Sequence, residues 1–74
     1  MSYLPRISGR DFVKAMHQFG YQFDHQTGSH MVLRRNRAPF RHLSVPDHRE
    51  LATGLLRRLL RDAELSVEEF KAAL

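Results

Sequence analysis

The chain has 74 residues, and its 42% hydrophobic content is enough for one small core and too high for a disordered tail. It contains no cysteine, which excludes a disulfide scaffold, a thiolate metal site and a cysteine nucleophile. Twelve Lys and Arg against eight Asp and Glu give +4, and ten of the twelve bases are arginine, whose planar fork matches phosphate.

The charge is unevenly spread. Residues 1–61 carry eleven bases and four acids, whereas 62–74 carry one base and four acids, so a basic body ends in an acidic tail. One domain over residues 1–74 is expected at this length. No apolar run approaches the roughly 18 residues of a membrane span. Met1 to Arg10 include Pro5, Arg6 and Arg10 but no apolar block, so no secretory signal and a cytoplasmic location are expected.

Ser8 is an N-cap and Asp11 a first-turn acid for an opening helix of roughly 11 residues. Phe12, Met16 and Phe19 form its stripe, widened by Val13 and Ala15, and Gly20 ends it as a left-handed residue. Tyr21 to Gln26 alternate as a first strand, with Thr27-Gly28 as the turn. Ser29 to Arg34 make the second strand, residues 35–39 a basic turn, and Phe40 to Val45 the third strand, stopped by Pro46-Asp47. Connections this short imply an antiparallel meander.

From His48 the period is helical. Leu51, Leu55, Leu56, Leu59, Leu60 and Ala63 share a face, with Arg57, Arg58 and Arg61 off it. Gly54 inside this helix costs about 1 kcal/mol relative to Ala, so a close packing contact is expected there. Ser66 to Glu69 form a capping box opening a short last helix through Phe70 and Leu74. The expected fold is α+β: α-β-β-β-α with helices on one face of a three-stranded antiparallel sheet, plus a short C-terminal helix.

Five histidines could carry chemistry: His17, His25, His30, His42 and His48. With Thr27-Gly28 as a two-residue turn, His25 and His30 would face each other across the hairpin. No third ligand stands at metal spacing, so no metal and no cofactor are expected. There is no Ser-His-Asp pattern and no phosphate-cradling glycine loop. Arg34, Arg35, Arg37 and Arg41 form a basic patch around the second turn, open both to phosphate binding and to the reading of a solvated hairpin tip.

Gly28-Ser29-His30 after the first strand, Val45-Pro46 closing the third, and the stretch from Glu50 to Ala63 resemble the HicA family of small toxins. The Phe19-Gly20-Tyr21 exit of the first helix and Leu65-Ser66 before Glu68-Glu69-Phe70 fit as well, so the resemblance runs from about Ser8 to Phe70. It implies a fold like the double-stranded-RNA-binding domain and a ribosome-independent mRNA interferase of a type II toxin–antitoxin system, a stress-response module. It also implies His30 as the catalytic residue, mRNA as substrate and a HicB-type antitoxin as partner. Two positions depart from the pattern: Met31 stands where a second histidine is common, and Glu64 where a glycine often follows the second helix.

The expected activity is therefore that of a metal-independent endoribonuclease. His30 would move a proton during attack of a ribose 2′-hydroxyl on the adjacent phosphate, and Arg34, then Arg35, would stabilise the transition state. The alternatives are a non-catalytic RNA-binding module of the same fold and a basic protein–protein adaptor.

Overall fold

The computed structural model describes residues 3–74; Met1 and Ser2 lie outside the described residues, and with them the start of the leader-free reading of residues 1–10. The order is α1 (Gly9–Met16), a 3-10 turn (His17–Phe19), β1 (Tyr21–Thr27), β2 (His30–Arg35), β3 (His42–Pro46), α2 (Thr53–Asp62) and α3 (Val67–Ala72). The three strands form one antiparallel sheet in the order β1-β2-β3. This is the α+β layout expected from the sequence.

Ser8 caps α1, its hydroxyl accepting from the Asp11 amide at 3.0 Å. Gly20 ends the 3-10 turn at φ 87°, where a side chain would be strained. Phe12, Val13, Ala15 and Met16 are buried from α1, and Leu56, Leu59 and Leu60 from α2. They meet the inward-facing strand residues Tyr21, Met31, Leu33, Leu43 and Val45. Phe70 of α3 closes the core, fully buried with its ring centroid 5.4 Å from that of Phe12. The Ser66–Glu69 capping box forms as expected.

Three local expectations are corrected. The first hairpin turns on Gly28-Ser29 rather than Thr27-Gly28, because Thr27 still pairs with His30. Gly28 comes first in the loop at φ 58°, the arrangement a type II′ turn uses. The helical run begins at Thr53 rather than His48, so buried Leu51 belongs to the entry loop, its amide bonded to the Ile7 carbonyl. Gly54 lies exposed in the first turn of α2, and a Cβ there would meet nothing within 4 Å, so no packing contact explains it.

The close approach occurs at Gly9 instead. A Cβ on Gly9 would run into the carbonyl oxygen of Pro46, and the Gly9 amide donates to the His48 carbonyl at 2.9 Å. Glu64 takes the left-handed place after α2 (φ 57°) in a Schellman exit: the Leu65 amide donates to the Leu60 carbonyl and the Glu64 amide to that of Arg61. The exit is therefore well formed without glycine, at a cost of about 1 kcal/mol for a side chain in that conformation.

Candidate functional site

The uncovered face of the sheet follows from register and alternation. His30, Val32 and Arg34 of β2 point away from the helices, and their partners on β3 are Pro46, Ser44 and His42. On β1 the corresponding residues are Thr27, His25 and Gln22. A bulge at Asp24 shifts the pairing between Phe23 and His25 and so brings His25 opposite Val32. His25 and His30 are therefore not opposed, and the imidazole pair expected from a Thr27-Gly28 turn does not form. Among the described residues no group of three His, Cys, Asp or Glu comes together as a metal site.

His30 is the first residue of β2, exposed, directly after the tight turn. Its ring makes no hydrogen bond to another described residue, and its backbone is held firmly. The Asp47 amide donates to the Ser29 carbonyl at 2.7 Å, and Asp47 is itself gripped by Arg10 through two hydrogen bonds of 3.1 and 3.2 Å. The hydrogen bond from Arg10 holds the Asp47 carboxyl below the usual carboxylate range and raises the guanidinium in turn. A two-point ion pair thus pins the end of β3 beside the hairpin that carries His30.

His30 also borders a cleft of about 380 Å³ along the β3 edge. His42, Ser44 and Pro46 contribute to it from β3, and Leu55, Arg58 and Asp62 from α2. Leu55 is half-buried there and packs against the core from its rim, whereas the apolar face it shares with Leu56, Leu59 and Leu60 predicts full burial. Arg58 stands 3.9 Å from Asp62 and remains largely exposed. The sequence pattern places Arg58 off the apolar face and assigns it no role. Its signal was the helical spacing Leu55-Arg58-Asp62, which sets an arginine beside the half-buried leucine at the cleft rim.

The four arginines of the expected patch separate into two kinds. Arg35 donates to the carbonyls of Phe19, Ala38 and Pro39, tying the β2–β3 turn to the end of the first helix. Arg41 donates to the Asp62 carbonyl at 2.7 Å and pairs with Glu64 at 3.0 Å, holding the C-terminus of α2. Arg34 stands on the uncovered face with its Nε 3.9 Å from Asp24, an exposed pair of little energetic weight. Arg37 makes no ion pair or hydrogen bond to another described residue. The Asp24 carboxyl lies below its usual range, chiefly because of its 2.8 Å hydrogen bond with His25.

These arginines lie at the far end of β2 from His30. Arg35 stands five steps along the strand from His30, about 17 Å at the usual rise. Arg58 is the arginine that shares the histidine's cleft.

Among the described residues no helix is long and apolar enough to cross a membrane. The family model described as HicA toxin of bacterial toxin-antitoxin matches residues 9–65, which includes the whole sheet, α1 and α2. No curated protein and no solved structure matches the chain significantly.

Proposed function

The chain belongs to the HicA toxin family of bacterial toxin–antitoxin systems, and from that premise we propose that it is a cytoplasmic endoribonuclease that cleaves mRNA with His30. The observation that carries the reading is an exposed imidazole at a rigid strand start, beside a cleft that also holds a largely exposed arginine. The whole of residues 1–74 acts as one toxin domain, related in layout to double-stranded-RNA-binding domains.

The reaction needs few parts. The ribose 2′-oxygen attacks the adjacent phosphorus, a P–O2′ bond forms and the P–O5′ bond breaks. The products are a 2′,3′-cyclic phosphate and a 5′-hydroxyl. His30 serves as the proton carrier at one of these oxygens, taking the proton from the 2′-hydroxyl or delivering one to the leaving 5′-oxygen, with solvent water serving the other. Arg58, across the cleft, stabilises the extra negative charge on the pentacoordinate phosphorus. Arg34 and Arg37, with Arg35 and Arg41 behind them, draw the rest of the RNA along the sheet. These steps use no metal, so cleavage in EDTA is expected to proceed unchanged.

The partner is an antitoxin of the HicB type that covers His30 and its cleft, so that the bound toxin cannot admit RNA. The chemistry is tested by end-group analysis of a purified transcript. A 2′-O-methyl group at the scissile nucleotide should block cleavage, and 2′,3′-cyclic phosphate ends should accumulate. Cleavage that tolerates the 2′-O-methyl group would overturn the mechanism.

A further inference from the structure

The sheet carries a second cleft, at the end away from His30, of about 220 Å³. It lies between the β2–β3 connection and the turn joining α2 to α3, and Arg35, Arg37, Arg41, Glu64 and Tyr21 border it. Three guanidinium groups around one small cleft form a strongly positive concavity. Two of them are oriented by their bonds to backbone carbonyls and keep further N–H donors.

Tyr21 supplies an independent sign of a missing ligand. Its side chain is 1% exposed, and its hydroxyl is buried with no hydrogen-bond partner among the described residues. A buried hydroxyl without a partner is costly and uncommon, and it points to a group that completes it. Burial raises its pKa, so it stays protonated and able to donate. The hydroxyl belongs to the first residue of β1, paired directly with Arg35.

The cleft already holds one anion. The Glu64 carboxylate sits 3.0 Å from Arg41 on a side chain that is 72% exposed, carried by a backbone in the left-handed region. An exposed carboxylate of this kind is weakly held and readily displaced by a better acceptor.

We propose that this second cleft is a phosphate-binding subsite, in which an incoming phosphate displaces Glu64 from Arg41 and is held by Arg37, Arg41 and the Tyr21 hydroxyl. Its occupant is a backbone phosphate of the RNA strand, several nucleotides from the one at His30, an assignment of source that rests on the nuclease reading above. Phosphate is a better acceptor than a lone carboxylate because several of its oxygens bond arginine forks at once. The subsite would fix the register in which a strand crosses the sheet, and cut position would then be measured from it.

Three single substitutions test this in the full chain: Tyr21→Phe, Arg37→Gln and Glu64→Gln. Tyr21→Phe keeps the ring and removes only a hydroxyl that has no hydrogen-bond partner among the described residues, so it should melt at or above the wild-type temperature. Two probes separate the sources: inorganic phosphate, read as a rise in melting temperature at constant ionic strength, and a short 2′-O-methyl RNA, read by fluorescence anisotropy. The wild type should be stabilised by phosphate, and Tyr21→Phe and Arg37→Gln should lose most of that rise and bind the RNA several-fold more weakly. Glu64→Gln should bind both probes more tightly, since it removes the competing carboxylate.

A folded Tyr21→Phe that responds to both probes like the wild type overturns the subsite. A phosphate response with RNA affinity indifferent to all three changes overturns the assignment to RNA. Melting temperature and anisotropy read binding alone, so neither outcome depends on whether His30 is the cleaving residue.

Discussion

The Asp47 amide donates to the Ser29 carbonyl over 2.7 Å, tying the residue before His30 to the end of β3. Arg10 holds the same Asp47 by two hydrogen bonds, and the Gly9 amide reaches the His48 carbonyl. The residue before the exposed histidine is therefore tied to the segment that follows β3, which Arg10 and Gly9 hold in turn. A side chain poised for proton transfer needs that fixity more than it needs burial.

Asp47 makes this anchor sensitive to acid. Its carboxyl and that of Asp24 both lie below the usual value, held down by hydrogen bonds from Arg10 and with His25 respectively. Protonation then favours the unfolded chain, so the stability these groups add is full above about pH 4 and is lost as pH falls below it. Melting temperature followed from pH 6 to pH 2.5 should fall below about pH 4. Asp47→Asn should flatten that acid limb.

Gly9 and Gly54 should respond oppositely to alanine. A Cβ at Gly9 meets the Pro46 carbonyl oxygen, so Gly9→Ala must push α1 away from the end of β3, at about 1–3 kcal/mol. Gly54→Ala meets nothing within 4 Å and should stabilise the chain by about 0.5–1 kcal/mol. Urea titration of the two variants checks both signs.

Most of the fold was legible because its signals are local. Ser8, Gly20 and the Ser66–Glu69 box each act within four residues, and each does in the structure what its residue type predicts. The first turn was misplaced by one residue because Thr27 continues the strand as readily as it enters a loop, and Gly28 suits either position. The Asp24 bulge, which decides what His25 faces, depends on pairing with β2 and leaves no mark in the sequence of β1 alone. The candidate site was legible at His30 only through family resemblance, since a lone histidine in an alternating strand has no signature. Arg35 and Arg41 read as free cations because the bonds that tie Arg35 to Phe19 and Arg41 to Asp62 span 16 and 21 residues, and the Ala38 and Pro39 carbonyls reach Arg35 only once the turn has folded. Arg58 went unnoticed because its cleft arises only when α2 lies along β3.

Core packing gives a graded pair. Leu59 is buried at 4% exposure, and Leu59→Ala should cost about 2–5 kcal/mol, much of the stability of so small a protein. Leu55, half-buried at the cleft rim, should cost clearly less on the same change. Equal losses in urea would contradict the assignment of Leu55 to the cleft wall.

Arg58→Ala should slow cleavage by about 10²-fold if this side chain stabilises the transition state, with RNA affinity changed far less. Arg37→Ala should do the reverse, weakening affinity and reducing its salt dependence while sparing the single-turnover rate. Single-turnover cleavage at saturating enzyme, beside salt titrations of binding, separates the two arginines.

The central claim is that His30 does the chemistry, and the most direct measurement is single-turnover cleavage of a purified transcript by the wild type and by His30→Ala, with melting curves recorded alongside. His30 is exposed and makes no hydrogen bond to another described residue, so its removal should leave the melting temperature close to that of the wild type. Loss of a positioned acid–base group should lower the rate by about 10²–10⁴-fold, with RNA binding retained. A folded His30→Ala that cuts at the wild-type rate would contradict the account.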